Sequence, residues 1–217
     1  MTLPDCSRAP RRTVGVVLAS VKRSVAPAYA GVVARAALVV VVPAAEPVVD
    51  AHRLRYDPMA ARGVPAHVTI LYPFRPELDG AAAGRIEEIC RSFVRFQATF
   101  ATVGRFPDGV VWLRPEPGDV FIQLTHALAA AFPDCPPYGG EFAEVVPHLT
   151  VGTGLDAADA AVLETTLAER LPVTATVDRL TRLVEDAGGR WHVERSWPLG
   201  PSVHHQARAT DRAESES

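Results

Sequence analysis

The order of apolar and polar positions divides the chain into a legible series of elements. Residues 37–42 are an unbroken apolar run, consistent with a strand buried on both faces, and Pro43 stops it. Residues 46–56 carry Val48, Val49, His52 and Leu54 in a pattern that predicts a helix, with Pro47 in its first turn, where proline is tolerated. A loop over 57–65 leads into 66–74, read as Ala-His-Val-Thr-Ile-Leu-Tyr-Pro-Phe and predicted to be a strand ended by Pro73. Strict alternation would put His67, Thr69 and Leu71 on one face and Val68, Ile70 and Tyr72 on the other. Residues 80–94 show a helical stripe of Ile86, Ile89, Cys90, Phe93 and Val94.

Residues 96–106 and 110–114 read as a hairpin around Pro107-Asp108-Gly109. A helix over 119–132 would bury Val120, Phe121, Leu124 and Leu128. After a Pro- and Gly-rich loop over 133–140, residues 146–152 form a second strand, with His148 and Thr150 on one face and Leu149 and Val151 towards the core. Asp156 is placed to cap a helix over 156–170, and 173–185 with 190–198 read as a closing hairpin around 186–189. Residues 1–35 have no clear period; they read as an N-terminal extension that is flexible or partly helical from about residue 26, and 200–217 as a disordered tail.

A repeat emerges from this order. Each half runs His-x-Thr strand, helix, strand, turn, strand, and the two copies reach Trp112 and Trp191 at similar distances from their histidines. The expected fold over 36–199 is therefore α+β and bilobal: two lobes related by a pseudo-two-fold axis, antiparallel sheets lining a central cleft, helices outside. The two His-x-Thr strands would face each other across that cleft.

Composition narrows the partners. A chain of 217 residues has ample material for a core. The formal net charge of −3, with scattered Lys and Arg, argues against a large basic surface for long nucleic acid but leaves room for a small phosphorylated ligand. Cys6, Cys90 and Cys135 include no Cys-x-x-Cys, so neither a disulfide framework nor a thiolate zinc site is expected, and a reducing, cytoplasmic setting fits better. The apolar stretches over 14–21 and 25–49 are broken by Lys22, Arg23, Arg35 and Pro43, and no membrane association is expected.

Two histidines across a cleft can divide the cleavage of a phosphoester. A neutral imidazole takes the proton of the attacking water or hydroxyl, and an imidazolium protonates the departing oxygen. The hydroxyls of Thr69 and Thr150 would donate to the non-bridging phosphate oxygens. Neither motif has Asp or Glu clustered beside it to hold a metal, a zinc pair would lack a third ligand, and no cofactor is expected. A single His-x-Thr is common by chance; the matched pair, His67 with His148, carries the argument.

The segments Pro65-Ala-His-Val-Thr-Ile-Leu-Tyr-Pro-Phe74 and Pro147-His-Leu-Thr-Val151 resemble the two-histidine phosphoesterase superfamily, in particular the bacterial 2′-5′ RNA ligase-like proteins and cyclic phosphodiesterases. The resemblance implies a bilobal α+β fold, with His67 and His148 catalytic and Thr69 and Thr150 binding phosphate. It also implies hydrolysis of a 2′,3′-cyclic phosphate, or cleavage and ligation of 2′-5′ linkages, with an RNA end or small nucleotide as partner. The protein is expected to act as a monomer. Two other readings stand beside it: a non-catalytic RNA- or nucleotide-binding module that keeps the same cleft, and a structural α+β protein whose paired motifs are coincidence.

Four residues are further candidates for substrate contact. Tyr72 alternates away from His67 unless the strand bulges, and Phe74 could stack on a base. Arg75, like Arg105 and Arg114, could meet a phosphate, and Tyr138 lies in a Pro-Pro-Tyr-Gly-Gly loop able to cover the cleft. His52, His126, His192, His204 and His205 are assigned no role.

Overall fold

A computed structural model describes residues 35–201. The extension before residue 35, the tail with His204 and His205, and Cys6 lie outside the described residues.

Local sequence accounts for most elements. β1 (Ala36–Val41) is buried along nearly its whole length, with Ala36, Leu38 and Val40 in the main core and Ala37 and Val39 in a second, smaller cluster on the opposite face. α1 (Glu46–Tyr56) has Pro47 in its first turn, and Asp57 ends it and caps the short α2 (Pro58–Ala61) by accepting from the Met59 amide. β2 (His67–Phe74) continues through Pro73 rather than ending there. Asp79 caps α3 (Gly80–Ser92) through the Ala82 amide. β3 (Phe96–Arg105) and β4 (Val111–Glu116) form the expected hairpin, followed by α4 (Gly118–Ala131). β5 (Leu149–Gly152) is shorter than expected, and His148 sits just ahead of it. Asp156 caps α5 (Ala157–Ala168) by accepting from the amides of Ala158 and Asp159.

The last segment differs from expectation. Residues 173–185 are two strands, β6 (Val173–Val177) and β7 (Arg179–Glu185), which separate at Asp178 and pair with different partners. β6 joins β3, whereas β7 joins β1 and forms the closing hairpin with β8 (Trp191–Pro198).

All eight strands form one antiparallel sheet in the order β6-β3-β4-β5-β2-β1-β7-β8. The order is symmetric about its centre: four strands on each side, with β5 and β2 adjacent in the middle. The two His-x-Thr strands are therefore hydrogen-bonded neighbours, not strands facing each other across a gap. The hairpins are also exchanged relative to the sequence repeat. β3–β4 follows β2 in the chain but packs beside β5, and β7–β8 follows β5 but packs beside β1. A single residue, Asp178, links an edge strand to the strand next to the opposite edge. The sheet must curl until its two ends nearly meet, because one residue spans only about 3.5 Å.

The helices cover one face of the sheet, where the main core includes Leu38, Val68, Ile86, Phe100, Leu124, Leu149, Leu163 and Trp197. The opposite face carries a smaller cluster of Ala37, Val39, Val64, Leu183 and Trp191 on its β1 side and the buried Trp112 on its β4 side, and the register sets all four His-x-Thr polar side chains on it. An antiparallel sheet tolerates one such uncovered face. Two guanidinium groups are buried. Arg53 pairs with Asp57 at 2.9 Å and donates to the Val64 carbonyl at 3.1 Å. Arg182 donates to the Arg75 and Pro76 carbonyls at 2.9 and 2.7 Å and pairs with Glu194.

Candidate functional site

The site follows from one pairing. Val68 lies opposite Leu149, both fully buried on the helix-covered face. Continuing this antiparallel register puts His67 opposite Thr150 and Thr69 opposite His148, all four pointing to the uncovered face. The two histidines then occupy the diagonal of a small square, with Cβ atoms about 7–8 Å apart. All four side chains are partly buried.

Both imidazoles are held the same way. His67 Nδ1 lies 2.8 Å from the Pro65 carbonyl and His148 Nδ1 lies 2.6 Å from the Val146 carbonyl, in each case two residues upstream. A carbonyl can only accept, so each Nδ1 carries the proton and each Nε2 is the nitrogen left to act: an acceptor when the ring is neutral, a donor when it is charged. Burial pushes His67 down to about 4, helped by the nearby Arg53 guanidinium and by His148 itself, against the pull of the Pro65 carbonyl and Asp57. Burial also lowers His148, while the Val146 carbonyl and the Asp108 carboxylate pull it back up.

The two halves of the square have different surroundings. On the His67 side is a cavity of about 270 Å³ lined by His67, Thr69, Tyr72, Val39, Met59 and Trp191, with Arg35 among its other residues. Tyr72 belongs here because β2 carries an extra residue against β1: Val39 pairs with Thr69, but Leu38 pairs with Leu71. This bulge turns Leu71 into the core and brings Tyr72 round to the face of His67 and Thr69, against strict alternation. Tyr72 packs near Trp191, with ring centroids 6.5 Å apart, and Arg35 lies over the same indole at 5.7 Å while pairing with Glu185.

On the other side, His148 sits among aromatic rings. Phe106 meets it edge-on at 5.1 Å, Trp112 lies at 6.0 Å, and Tyr138 stacks nearly parallel at 6.4 Å. Trp112 lies flat across β3 because residue 104 is glycine: a Cβ there would come within 2.5 Å of the indole. Tyr138 has a left-handed backbone (φ 52°), packs on the exposed Phe142 at 5.6 Å, and burial pushes its phenol up to about 12. The Pro-Pro-Tyr-Gly-Gly loop thus does lie against the second motif.

Two candidates move away from the site. Phe74 is a core residue, 4% exposed and packed edge-on against Phe132 at 5.2 Å. Arg75 is paired with Asp134 at 2.7 Å beside Phe132, outside the cavity. Arg105 is likewise paired, with Glu164 at 3.3 Å. Trp191, Trp112 and Phe106 were absent from the candidates. The signal for the two tryptophans was their matching place in the repeat.

A larger groove, about 460 Å³, lies between the end of α1 and the start of α5, lined by residues including Tyr56, Asp57, Thr153 and Asp156. It contains neither histidine, and Asp57 and Asp156 are engaged in an ion pair and a helix cap. Cys90 and Cys135 are free and buried, and burial raises the Cys90 thiol to about 12. Among the described residues no three or more of His, Cys, Asp or Glu are grouped to hold a metal ion, and no helix is long and apolar enough to cross a membrane.

Comparison with known proteins bears on the family and the fold. A family model described as the 2′-5′ RNA ligase superfamily matches residues 41–189. No curated protein matches the chain. Among solved structures, E. coli LigT complexed with 3′-AMP is similar at 19% identity and a TM-score of 0.50, over 76% of this chain and 97% of LigT. LigT in its apo form gives 20% identity and 0.49 over the same shares, and a crystal structure described as a phosphoesterase gives 19% and 0.46 over 76% and 98%. The likeness to the 3′-AMP complex is one of fold.

Proposed function

The chain belongs to the 2′-5′ RNA ligase superfamily, and we propose on that footing that it is a phosphodiesterase acting on RNA ends or small nucleotides that carry a 2′,3′-cyclic phosphate or a 2′-5′ linkage. The observation that carries the reading is the square of His67, Thr69, His148 and Thr150, with both Nδ1 protons pinned to upstream carbonyls. A phosphate between the diagonal histidines meets one Nε2 on the side of the attacking oxygen and the other on the side of the leaving oxygen. The curled sheet and its uncovered face form the central cleft that receives it.

His67 suits the base, because its lowered pKa keeps the ring neutral near pH 7. A water attacks phosphorus and gives its proton to His67 Nε2. The phosphorus bond to one ribose oxygen breaks, and that oxygen takes a proton from His148 Nε2. Thr69 and Thr150 donate to the non-bridging oxygens, where charge builds. Asp108, which favours the charged form of His148, matches the acid role.

The test is turnover of a nucleoside 2′,3′-cyclic phosphate with product analysis across pH. kcat/KM reports the free protein. Its acid limb is expected near 4, where His67 gains a proton, and its basic limb below 6.5, where His148 loses one, so the optimum lies on the acid side of neutrality. A bound phosphate anion favours both imidazolium forms, so the optimum of kcat is expected at higher pH than that of kcat/KM. Tight binding of a panel of cyclic nucleotides and 2′-5′ dinucleotides without any conversion would instead identify a binding module.

A further inference from the structure

We infer that Arg114 forms a second phosphate subsite beside His148, so that the preferred ligand carries another phosphate next to the reacting one, such as the 5′-phosphate of the same nucleoside. The inference rests on the proposal that a phosphate sits between His67 and His148.

The placement comes from strand register. β4 pairs with β5 so that Trp112 lies opposite Thr150 and Leu113 opposite Leu149. One step further, the same register sets Arg114 beside His148 on the uncovered face. On the other half, β1 pairs with β2 so that Val39 lies opposite Thr69 and Val41 opposite His67. The symmetric counterpart of Arg114 is thus Val41, and that of Trp112 is Val39. The site is symmetric in its histidines and threonines and asymmetric in these neighbours: apolar beside His67, cationic beside His148.

Arg114 is also available. Its side chain is exposed, and among the described residues it forms no ion pair, whereas Arg75 and Arg105 are both paired with carboxylates. Its guanidinium stands over the Trp112 ring at 5.7 Å, and that ring lies 6.0 Å from His148. The indole, seated over Gly104, gives the arginine a fixed platform, which lowers the ordering cost of binding an anion. A planar guanidinium held this way offers two parallel donors to phosphate. The reacting phosphate already has three donors of its own, Thr69, Thr150 and the charged His148, so a cation one residue to the side serves the next phosphate along. The apolar cavity beyond His67 offers no comparable charge in the corresponding place, which gives the ligand a direction.

The test compares adenosine 3′,5′-bisphosphate with adenosine 3′-monophosphate by calorimetry in the full chain and in Arg114→Gln. The full chain is expected to bind the bisphosphate about tenfold more tightly, as one charge-assisted contact supplies. Arg114→Gln is expected to erase that preference while leaving 3′-monophosphate binding within twofold. Arg114→Lys is expected to restore part of it. For a single-stranded oligonucleotide ending in a 3′-phosphate, the slope of log K against log salt is expected to flatten by about 0.7 in Arg114→Gln. Equal affinities of the full chain for the two nucleotides, or equal loss of both in the variant, would overturn the subsite. A preserved preference in the variant would do the same. These are binding measurements, so they stand even if the cyclic nucleotide is not turned over, an outcome that would count against the catalytic reading alone.

Discussion

Replacing His67 or His148 by alanine is expected to lower kcat on a nucleoside 2′,3′-cyclic phosphate by about 10²–10⁴-fold, the range lost when a positioned acid or base is removed. The two losses should not multiply in the double variant, because a base without its acid partner has little left to contribute. Neither histidine belongs to the main core, and both sit on the uncovered face, so the variants are expected to fold. His67→Ala even removes a ring whose charged form the fold disfavours, and at acidic pH it should resist denaturant better relative to the parent than at pH 7. The sign follows from the lowered pKa. The folded state opposes the protonation that the unfolded chain undergoes below 6.5, so the parent loses stability as pH falls from there towards about 4, and the variant does not share that loss. Full turnover in either single variant, with circular dichroism unchanged, would remove the two-imidazole mechanism.

The two His-x-Thr pairs were legible in the sequence because they depend on local pattern. A polar residue every second position in an apolar run points both polar groups to one side, and that held for His67 with Thr69 and for His148 with Thr150. The residues beside them were less accessible to such reasoning, because they are set by pairing between distant strands. Tyr72 reaches the site through a bulge of β2 against β1, and nothing within 66–74 reveals an extra residue relative to 36–41. Phe74 is in the core, on the face where alternation from Val68 and Ile70 already puts it, because a second irregularity between Leu38 and Ala36 offsets the first. The histidines were expected on strands that confront each other, yet they are on neighbours. An element order repeated in sequence does not fix which strands pair, and here β3–β4 packs beside β5 while β7–β8 packs beside β1. One miss did have a local signal. Val173, Ala175 and Val177 alternate on odd positions, and the next buried apolar residue is Leu180. That slip of phase at Asp178 marks the break between β6 and β7.

Arg182→Ala is expected to cost about 3–5 kcal/mol, a large share of the roughly 5–15 kcal/mol that a domain of this kind has in hand. Arg182 is fully buried, and its guanidinium bridges β7, Glu194 on β8 and the chain just beyond β2. Truncation leaves a cavity and strands two backbone carbonyls, those of Arg75 and Pro76, each worth about 1–3 kcal/mol when left without a donor. Glu194 is less affected, since its side chain is 42% exposed and water can replace the lost cation. Arg182→Met separates these contributions: it fills most of the volume but supplies no donors, so it should recover the cavity portion and not the rest. Urea unfolding gives the ranking parent, Arg182→Met, Arg182→Ala. The two carbonyls follow directly on the strand that carries His67 and Thr69, so Arg182 anchors the far end of that strand to the closing hairpin. If it acts only as an anchor, the variants should keep the parent's pH profile at temperatures where they remain folded, and lose activity only along their shifted unfolding curves. A changed pH profile in folded Arg182→Met would mean instead that the buried guanidinium influences the titration of His67.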